Sequence, residues 1–256
     1  MSLGRLLRIS FLLILLLVVW SGSYWQLYRL QQWQRPVWVQ IHPFNLDQSE
    51  AADAYIKQLS ALPWQPGEAF FSQAWQQYKG GSAWLPVRFR LGEPLRVLPP
   101  PVPDSQSPLA VMSWSLRLRW WQFWHGPEAK GADIRMYLLL VDPKQHSQVP
   151  HSYGLKGVGM GVVHGFASSD MHGSNVVVLV HELLHTLGAT DKYDPQSLLP
   201  LFPAGYANAM QQPLYPQPAA EIMAGRIALG ERQAVIPRSL QQVVMGAQTA
   251  AEIGWR

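Results

Sequence analysis

The chain contains no cysteine and comparatively few charged residues. Its 256 residues include no Cys, which excludes disulfide bonds, thiolate metal ligands and a cysteine nucleophile. Asp, Glu, Lys and Arg make up 14% of the residues, whereas 48% are hydrophobic. A chain of this length and apolar content can form one domain of ordinary size, with a sizeable core, plus an N-terminal appendage.

The positive charge is confined to the N-terminus. Residues 1–35 carry four of the 20 basic residues and no acid, so the remaining 16 basic residues balance the 16 acidic ones. A balanced charge in residues 36–256 gives no basic footprint of the kind that binds nucleic acid. We therefore expect no nucleic-acid partner.

An apolar run near the N-terminus predicts a membrane segment. Arg5 and Arg8 precede the run Ile9–Trp20, and further aromatic residues follow it. A membrane anchor needs about 20 mostly apolar residues, and residues 6–28 reach that length if the aromatic residues lie at the interface. The sequence predicts a single-pass anchor in residues 1–35, with residues 36–256 on the periplasmic or extracytoplasmic side. A signal peptide cleaved near Ser21–Ser23, followed by secretion, is the alternative.

The segment from His181 to Asp191 reads H-E-x-x-H-x-x-G-x-x-D. Residues four apart lie on one face of a helix, so His181 and His185 can present two imidazole nitrogens to one metal ion. Glu182 lies beside them, where a carboxylate can contact a water on the metal rather than the metal itself. Gly188 can end the helix in a left-handed conformation, which lets the chain turn back and bring Asp191 to the same ion.

This ligand set is typical of catalytic zinc. Two nitrogens and one carboxylate oxygen leave a fourth position open, whereas structural zinc sites are closed. We therefore expect Zn²⁺ as cofactor, His181, His185 and Asp191 as its ligands, and Glu182 as the general base. Two unrelated histidines on an ordinary helix are the alternative, and Gly188 and Asp191 at these offsets favour the metal site.

The extended motif resembles that of the metzincin clan of zinc endopeptidases. Most of that clan has a third histidine at the position of Asp191, and an aspartate there is similar to the snapalysin-like and immune-inhibitor-A-like peptidases. The resemblance implies an α/β (α+β) zincin fold, with a mixed, twisted sheet over the active-site helix and a smaller C-terminal subdomain from about residue 189. It also implies an antiparallel edge strand that pairs with the substrate, for which the glycine-rich segment Gly154–Phe166 is the candidate. A plain loop is the alternative for that segment.

A methionine beyond the motif extends the resemblance. The clan places a methionine in a tight turn beneath the zinc ligands, and Met223 follows Asp191 at a plausible distance. Its thioether would give the imidazoles a soft, apolar floor. The tyrosine that follows this methionine in some clan members has no counterpart here. Glutamate-type zinc peptidases suggest Glu221 as a rival third ligand, although their glutamate lies on a long helix.

Hydrophobic spacing and breaker residues predict the remaining elements. Strands are expected at 37–41, 84–91 and 134–141, and helices at 48–60, 66–79, 107–124, 176–187 and 237–254, with a long irregular loop at 195–220. In the helix at 176–187 we expect a cap at Ser174 or Asn175. Its buried stripe should consist of Val177, Val180, Leu184 and Leu187.

The helix at 107–124 has apolar residues at helical spacing. We expect its stripe to pack into the core, with an aromatic binding wall as the alternative. The stripe consists of Leu109, Met112, Leu116, Trp120 and Phe123.

The remaining candidate site residues are three histidines outside the motif and two residues that follow it. His151, His164 and His172 have no ligand spacing to the motif and are expected to be structural. For both Tyr193 and Asp194 we expect a solvated turn; the alternative is that Tyr193 polarises a substrate carbonyl and Asp194 hydrogen-bonds a ligand imidazole.

These residues together predict a membrane-associated zinc endopeptidase that acts on peptide or protein substrates. They do not indicate its oligomeric state. A zinc-binding scaffold or sensor without peptidase activity is one alternative. A zinc amidase that acts on cell-wall peptides is another.

Overall fold

The computed structural model describes residues 3–81, 84–103, 107–126 and 131–255, in which helices and strands alternate along the chain. The helices are α1 (Leu3–Gln31), α2 (Glu50–Gln58), α3 (Gln65–Lys79), α4 (Pro108–His125), α5 (His172–Leu187) and α6 (Ala247–Glu252). The strands are β1 (Val37–Asn45), β2 (Val87–Leu91), β3 (Ile134–Val141), β4 (Tyr153–Leu155), β5 (Met160–Phe166), β6 (Ala220–Glu221), β7 (Ile227–Gly230), β8 (Gln233–Val235) and β9 (Val243–Val244). Short 3-10 helices lie at Ser169–Met171 and Leu240–Gln242.

Five strands form one mixed sheet in the order β2-β1-β3-β5-β4. The first four of these are parallel, and β4 runs antiparallel to β5 at the edge. The predicted strand at 134–141 is confirmed as β3, and nearly all of it is buried because both faces of the sheet are covered. The expected antiparallel edge strand is present, but it is β4, whereas most of Gly154–Phe166 forms the inner, parallel strand β5.

Helices cover the two faces of the sheet. On one face α5 buries the predicted stripe of Val177, Val180, Leu184 and Leu187, in the same core cluster as Met136 of β3. On the other face α4 belongs to a second cluster, which includes Tyr137 and Leu139 of β3. Because successive side chains of β3 point to opposite faces of the sheet, this strand contributes residues to both clusters.

The expected core stripe of α4 is wrong. Leu109, Trp120 and Phe123 are 73%, 67% and 77% exposed, and Met112 is also exposed. The helix buries Trp114, Leu118 and Trp121 instead. Because α4 is apolar on nearly all sides, its spacing could not indicate which face meets the sheet.

The closing helix expected at 237–254 is also wrong. The only α-helix in this described segment is α6, which follows the short 3-10 helix, because Val243 and Val244 form a strand that pairs with Ala220 and Glu221. From residue 188 to 219 the chain has no named helix or strand, as expected for the long loop. The part of the chain after α5 is therefore largely irregular.

The N-terminal helix is long and apolar enough to cross a membrane, although a signal sequence would meet the same criterion. Its last turns pack on the domain: Leu30 is buried, and the Gln31 side chain donates hydrogen bonds to the carbonyl oxygens of Leu187 and Glu252. Trp33 is buried as well, and its indole donates to the Ile253 carbonyl oxygen. Residues on the N-terminal side of the expected boundary at residue 35 therefore pack against the domain that follows it.

Candidate metal centre

Helix α5 carries both motif histidines on its last two turns. It begins at His172, four residues before the predicted start, so Ser174 and Asn175 do not cap it. The Asn175 side chain instead bonds to the backbone N–H and C=O of Phe166, which ties α5 to the end of β5. The His172 ring lies between the Tyr55 hydroxyl and the Pro63 carbonyl oxygen, in the structural role expected for it.

Gly188 ends α5 as predicted. Its φ angle of 111° is in the left-handed region, and its N–H bonds to the carbonyl oxygen of His185. A residue with a side chain would be strained in this conformation. The chain reverses at this glycine and carries Asp191 back over the histidines.

The structure brings His181, His185 and Asp191 together. Asp191 Oδ1 lies 3.2 Å from His181 Nε2 and 3.2 Å from His185 Nε2. The three potential ligand atoms all lie within 4.8 Å of one another. In a tetrahedral site with bonds of 2.0–2.1 Å, neighbouring ligand atoms are about 3.3 Å apart. The two separations of 3.2 Å match this spacing, so the group could hold a metal ion. His151 and His164 are not in this group.

Backbone carbonyl oxygens determine which ring nitrogen of each histidine carries the hydrogen. His181 Nδ1 lies 2.9 Å from the carbonyl oxygen of Ile222, and His185 Nδ1 lies 2.9 Å from that of Ala189. A carbonyl oxygen only accepts, so each Nδ1 must carry the hydrogen. In the neutral ring the lone pair is then on Nε2, which faces Asp191 and is available to a metal.

An ion pair between the buried Lys192 and the partly exposed Glu252 holds the loop that carries Asp191. The Lys192 ammonium donates to Glu252 of α6 at 2.8 Å and to the Thr190 carbonyl oxygen at 2.6 Å. Glu252 also accepts from the N–H and the hydroxyl of Thr190. Both neighbours of Asp191 are thus fixed to one carboxylate 60 residues away, a contact that no local sequence signal indicates.

Glu182 is buried beside the histidines. It is 6% exposed, and its Oε2 atom has no hydrogen-bond partner among the described residues. Gly154 of the edge strand lies against it: a side chain at that position would collide with the Glu182 carbonyl and the His185 side chain. A carboxylate oxygen without a hydrogen-bond partner among the described residues is therefore held beside the two histidines and next to β4.

Met223 is fully buried in a tight turn below the site. The N–H groups of residues 224 and 225 both bond to the Glu221 carbonyl oxygen, and the residue before the methionine, Ile222, accepts the hydrogen bond from His181. The turn therefore determines the orientation of one ligand ring.

Glu221, the rival third ligand, maintains this turn instead. Its side chain accepts hydrogen bonds from the N–H groups of Met223, Ala224 and Gly246 and from the Thr249 hydroxyl. Both of its oxygens are used, and it lies outside the group formed by the histidines and Asp191. Its role depends on residues up to 28 positions away, so sequence reasoning missed it.

The two residues singled out after Asp191 differ in position. The ring of Tyr193 lies 6.4 Å from that of His181, and its hydroxyl interacts with Asp191. Asp194 instead accepts hydrogen bonds from Gln196 and Ser197, so the expectation of a turn is met for this residue. Only Tyr193 is at the candidate site.

The charges of the site are coupled. Burial disfavours the charged carboxylate of Asp191. In the metal-free site a second ring proton on His181 or His185 lies on Nε2 and is donated to Asp191, and these hydrogen bonds outweigh burial and hold the pKa of Asp191 well below its ordinary 3.8. Burial also opposes charge on His181, yet the bond to Asp191 and the negative charge of Glu182 raise its pKa above 6.5. Burial raises the pKa of Glu182, against the effect of the two histidines. Such opposing shifts within one cluster are common at functional sites.

Comparison with known proteins adds no family assignment. The sequence matches no family model and no curated protein at a significant level. The chain is therefore best described by its own features: a mixed α/β fold with an apolar N-terminal helix and a His-His-Asp group that could hold a metal ion.

Proposed function

We propose that this protein is a membrane-anchored zinc endopeptidase. The observation that carries the proposal is the meeting of two Nε2 atoms and one carboxylate oxygen beside a buried glutamate with a free oxygen. The alternative of two unrelated histidines on a helix does not account for this convergence.

The residues divide the chemistry between them. A zinc ion held by His181, His185 and Asp191 would supply a Lewis acid for the scissile carbonyl and lower the pKa of a water to about 7. Glu182 accepts a proton from the attacking water and delivers it to the leaving amine as the C–N bond breaks. Its burial favours this proton transfer, because desolvation makes a carboxylate a stronger base.

The edge strand provides a place for a peptide. Among the described strands β4 pairs on one side only, with β5, and its Gly154 lies beside Glu182 and His185. An extended substrate can add to the free side of β4 through backbone hydrogen bonds, which would bring a carbonyl group near the histidines. Tyr193, on the side of Asp191, is the candidate donor to the oxygen of that carbonyl.

Two features support a metzincin-like architecture. The sheet has four parallel strands and one antiparallel edge strand beside the helix that carries the histidines. A buried methionine lies in a tight turn whose backbone accepts a hydrogen bond from His181. Both were expected from the resemblance of the motif.

A metal-binding scaffold or sensor without catalysis explains less of the site. Such a protein needs His181, His185 and Asp191 but has no use for a buried Glu182 with an unpaired oxygen, which is costly to keep. A zinc amidase would use the same residues, so products must distinguish it from an endopeptidase.

The test is hydrolysis of a defined peptide library and of cell-wall peptides by the full chain in detergent, with product identification by mass spectrometry. We expect internal cleavage of peptides that a chelator abolishes and added zinc restores. Cleavage of the cell-wall amide alone would favour the amidase. No chelator-sensitive cleavage of either substrate would favour the scaffold.

We place α1 in the membrane and the domain on the extracytoplasmic side. The support is the length and apolar character of α1 together with its exposed side chains. Protease added to spheroplasts should digest the domain and leave α1 protected. A domain that is shielded from the protease would contradict this orientation, and a mature chain lacking α1 would indicate a cleaved signal.

A further inference from the structure

Helix α4 presents an apolar surface that no described part of the chain covers. Leu109, Trp120, Phe123 and Trp124 are each at least 60% exposed. The rings of Phe123 and Trp124 lie 5.2 Å apart, edge to face, and those of Trp120 and Trp124 lie 5.7 Å apart. Clustered exposed aromatic residues of this kind mark a contact surface rather than scattered surface apolar residues.

This surface adjoins the apolar N-terminal helix. Arg119 of α4 donates a 2.7 Å hydrogen bond to the hydroxyl of Ser23 in α1. Gln26 of α1 and Phe123 of α4 line the same surface cleft. The three exposed rings of α4 are therefore within about one helical turn of the residue that contacts α1.

The contact is made at the level of the aromatic residues of α1. Ser23 lies between Trp20 and Tyr24, and Trp25 and Tyr28 follow; all four of these aromatic side chains are exposed. Tryptophan and tyrosine on a spanning helix concentrate at the boundary between lipid and water. The exposed rings of α4 are thus next to the part of α1 expected at that boundary.

The charge of α4 suits a lipid surface. Its 18 residues include Arg117, Arg119 and His125 but no Asp or Glu. Aromatic and aliphatic residues on one face, with basic and no acidic residues on the helix, are typical of helices that lie in the membrane interface. A soluble protein partner would not require the surface to be continuous with the spanning helix.

We propose that the exposed face of α4 inserts into the interface of the bilayer that α1 crosses, so that the domain is seated on the membrane at two places. The proposal rests on the membrane insertion of α1 but not on peptidase activity. With both helices engaged, the domain has a fixed orientation on the bilayer. The end of α5 that carries His185 then lies on the membrane side, since Gln31 of α1 bonds to Leu187.

The absence of cysteine allows a direct test. Single variants Leu13→Cys, Phe123→Cys and Ile236→Cys of the full chain are labelled with an environment-sensitive fluorophore. They are then reconstituted in phosphatidylcholine nanodiscs with and without doxyl-labelled lipid. All three positions are exposed, so the substitutions should not disturb folding.

Ile236 is the matched control. It is an exposed apolar residue, and the nearby Arg238 packs against Gly173 near the start of α5, whereas α1 contacts the other end of that helix. The two ends of α5 are about 20 Å apart. A label at position 236 should therefore remain in water.

We expect doxyl lipid to quench the labels at positions 13 and 123 and to leave the label at 236 unchanged. Quenching at 13 without quenching at 123 would overturn the docking of α4 and leave the anchor intact. No quenching at 13 would overturn both, and hydrolysis assays on the same samples would show whether the peptidase proposal stands separately. A blue shift at 123 without lipid quenching, dependent on protein concentration, would indicate a second copy on this face and also contradict the proposal.

Discussion

The candidate ligand histidines are oriented by backbone carbonyl groups as well as by Asp191. His181 is fixed by Ile222 and His185 by Ala189, each through its Nδ1 atom. Asp191 is the most exposed of the three, with 40% of its side chain accessible. It therefore depends most on the loop that carries it, and substitutions that affect this loop should affect the metal.

Replacing the two candidate third ligands separately should give different defects. We expect Asp191→Ala to lose zinc on dialysis, because only two nitrogen ligands remain. Glu221→Gln should retain zinc but unfold more easily, by about 2 kcal/mol or more, because a buried carboxylate with four donors loses acceptor capacity. Zinc content and thermal unfolding measure the two effects. Loss of zinc from the Glu221 variant with retention in the Asp191 variant would reverse the ligand assignment.

Zinc binding should weaken as the pH falls. The raised pKa of His181 means that a proton competes with the metal in mildly acidic solution. Below that pKa the apparent dissociation constant should rise about tenfold per pH unit for the one proton displaced. In the metal-free chain the sign is opposite: charged His181 stabilises the fold below about 6.5, and this contribution is lost as the pH rises through its raised pKa. Zinc titrations over pH 5–8 with a fluorescent competitor check the first effect, and a flat affinity would contradict it.

The motif could be predicted because it is local. His181, Glu182, His185 and Gly188 lie within two helical turns and a cap, so spacing alone indicated how they meet. For Tyr193 the sequence left two alternatives, a role at the substrate carbonyl and a solvated turn. Nothing in the sequence shows which way the side chains of a turn point. Glu221, Lys192 and Glu252 were missed or misassigned because their partners are distant in the chain.

Among the helices and strands, the short helix α6 has a structural role in positioning Asp191. It has six residues, yet its Glu252 fixes Thr190 and Lys192 on either side of Asp191. The ion pair has a buried lysine, so it is a specific connection rather than a surface pair. We regard α6 as the support of the third ligand.

Breaking this connection should weaken zinc binding without touching a ligand. We expect Lys192→Met to reduce zinc affinity by about 10–100-fold, as is usual when a group that orients a ligand is removed. Glu252→Gln should have a similar effect, and the double variant should be little worse than either single one. Lys144→Met, at an exposed lysine, is the control. Wild-type affinity in Lys192→Met would mean that the loop holds Asp191 without α6.

The predictions of helices and strands were wrong where tertiary contacts outweighed the local hydrophobic pattern. The strand at 134–141 was predicted with its observed ends, because a continuous apolar run ends at Asp142-Pro143. The residues at 237–254 looked helical, but pairing of Val243 with Ala220 gave a strand. Helix α4 was predicted correctly as a helix with a Ser107 cap, and only its buried face was wrong.

At the scale of the whole molecule, the apolar N-terminal helix packs directly on the domain. Helix α1 continues from the exposed apolar segment to Leu30 and Gln31, which pack against the end of α5 and the C-terminus without a linker. If α1 spans a membrane as proposed, this packing would restrict the rotation of the domain at the membrane.

Truncation should show where the folded unit begins. A chain starting at residue 23 retains Leu30 and Trp33 and should melt near the temperature of the full chain. A chain starting at residue 36 loses both buried side chains, and we expect a loss of about 3–5 kcal/mol, comparable to removing a buried Trp side chain. Trp33→Ala in the full chain should account for most of that loss. Equal stability of the two truncated chains would support the predicted domain boundary at residue 35.

The central claim is that the His-His-Asp group and Glu182 form a catalytic zinc centre. The most direct test is the hydrolysis rate of zinc-loaded Glu182→Gln, compared with wild type at equal zinc content. Because the substitution leaves the three ligands in place and removes the base, we predict unchanged zinc content and a rate lower by at least about a hundredfold. A zinc-loaded variant that hydrolyses peptides at the wild-type rate would contradict the account.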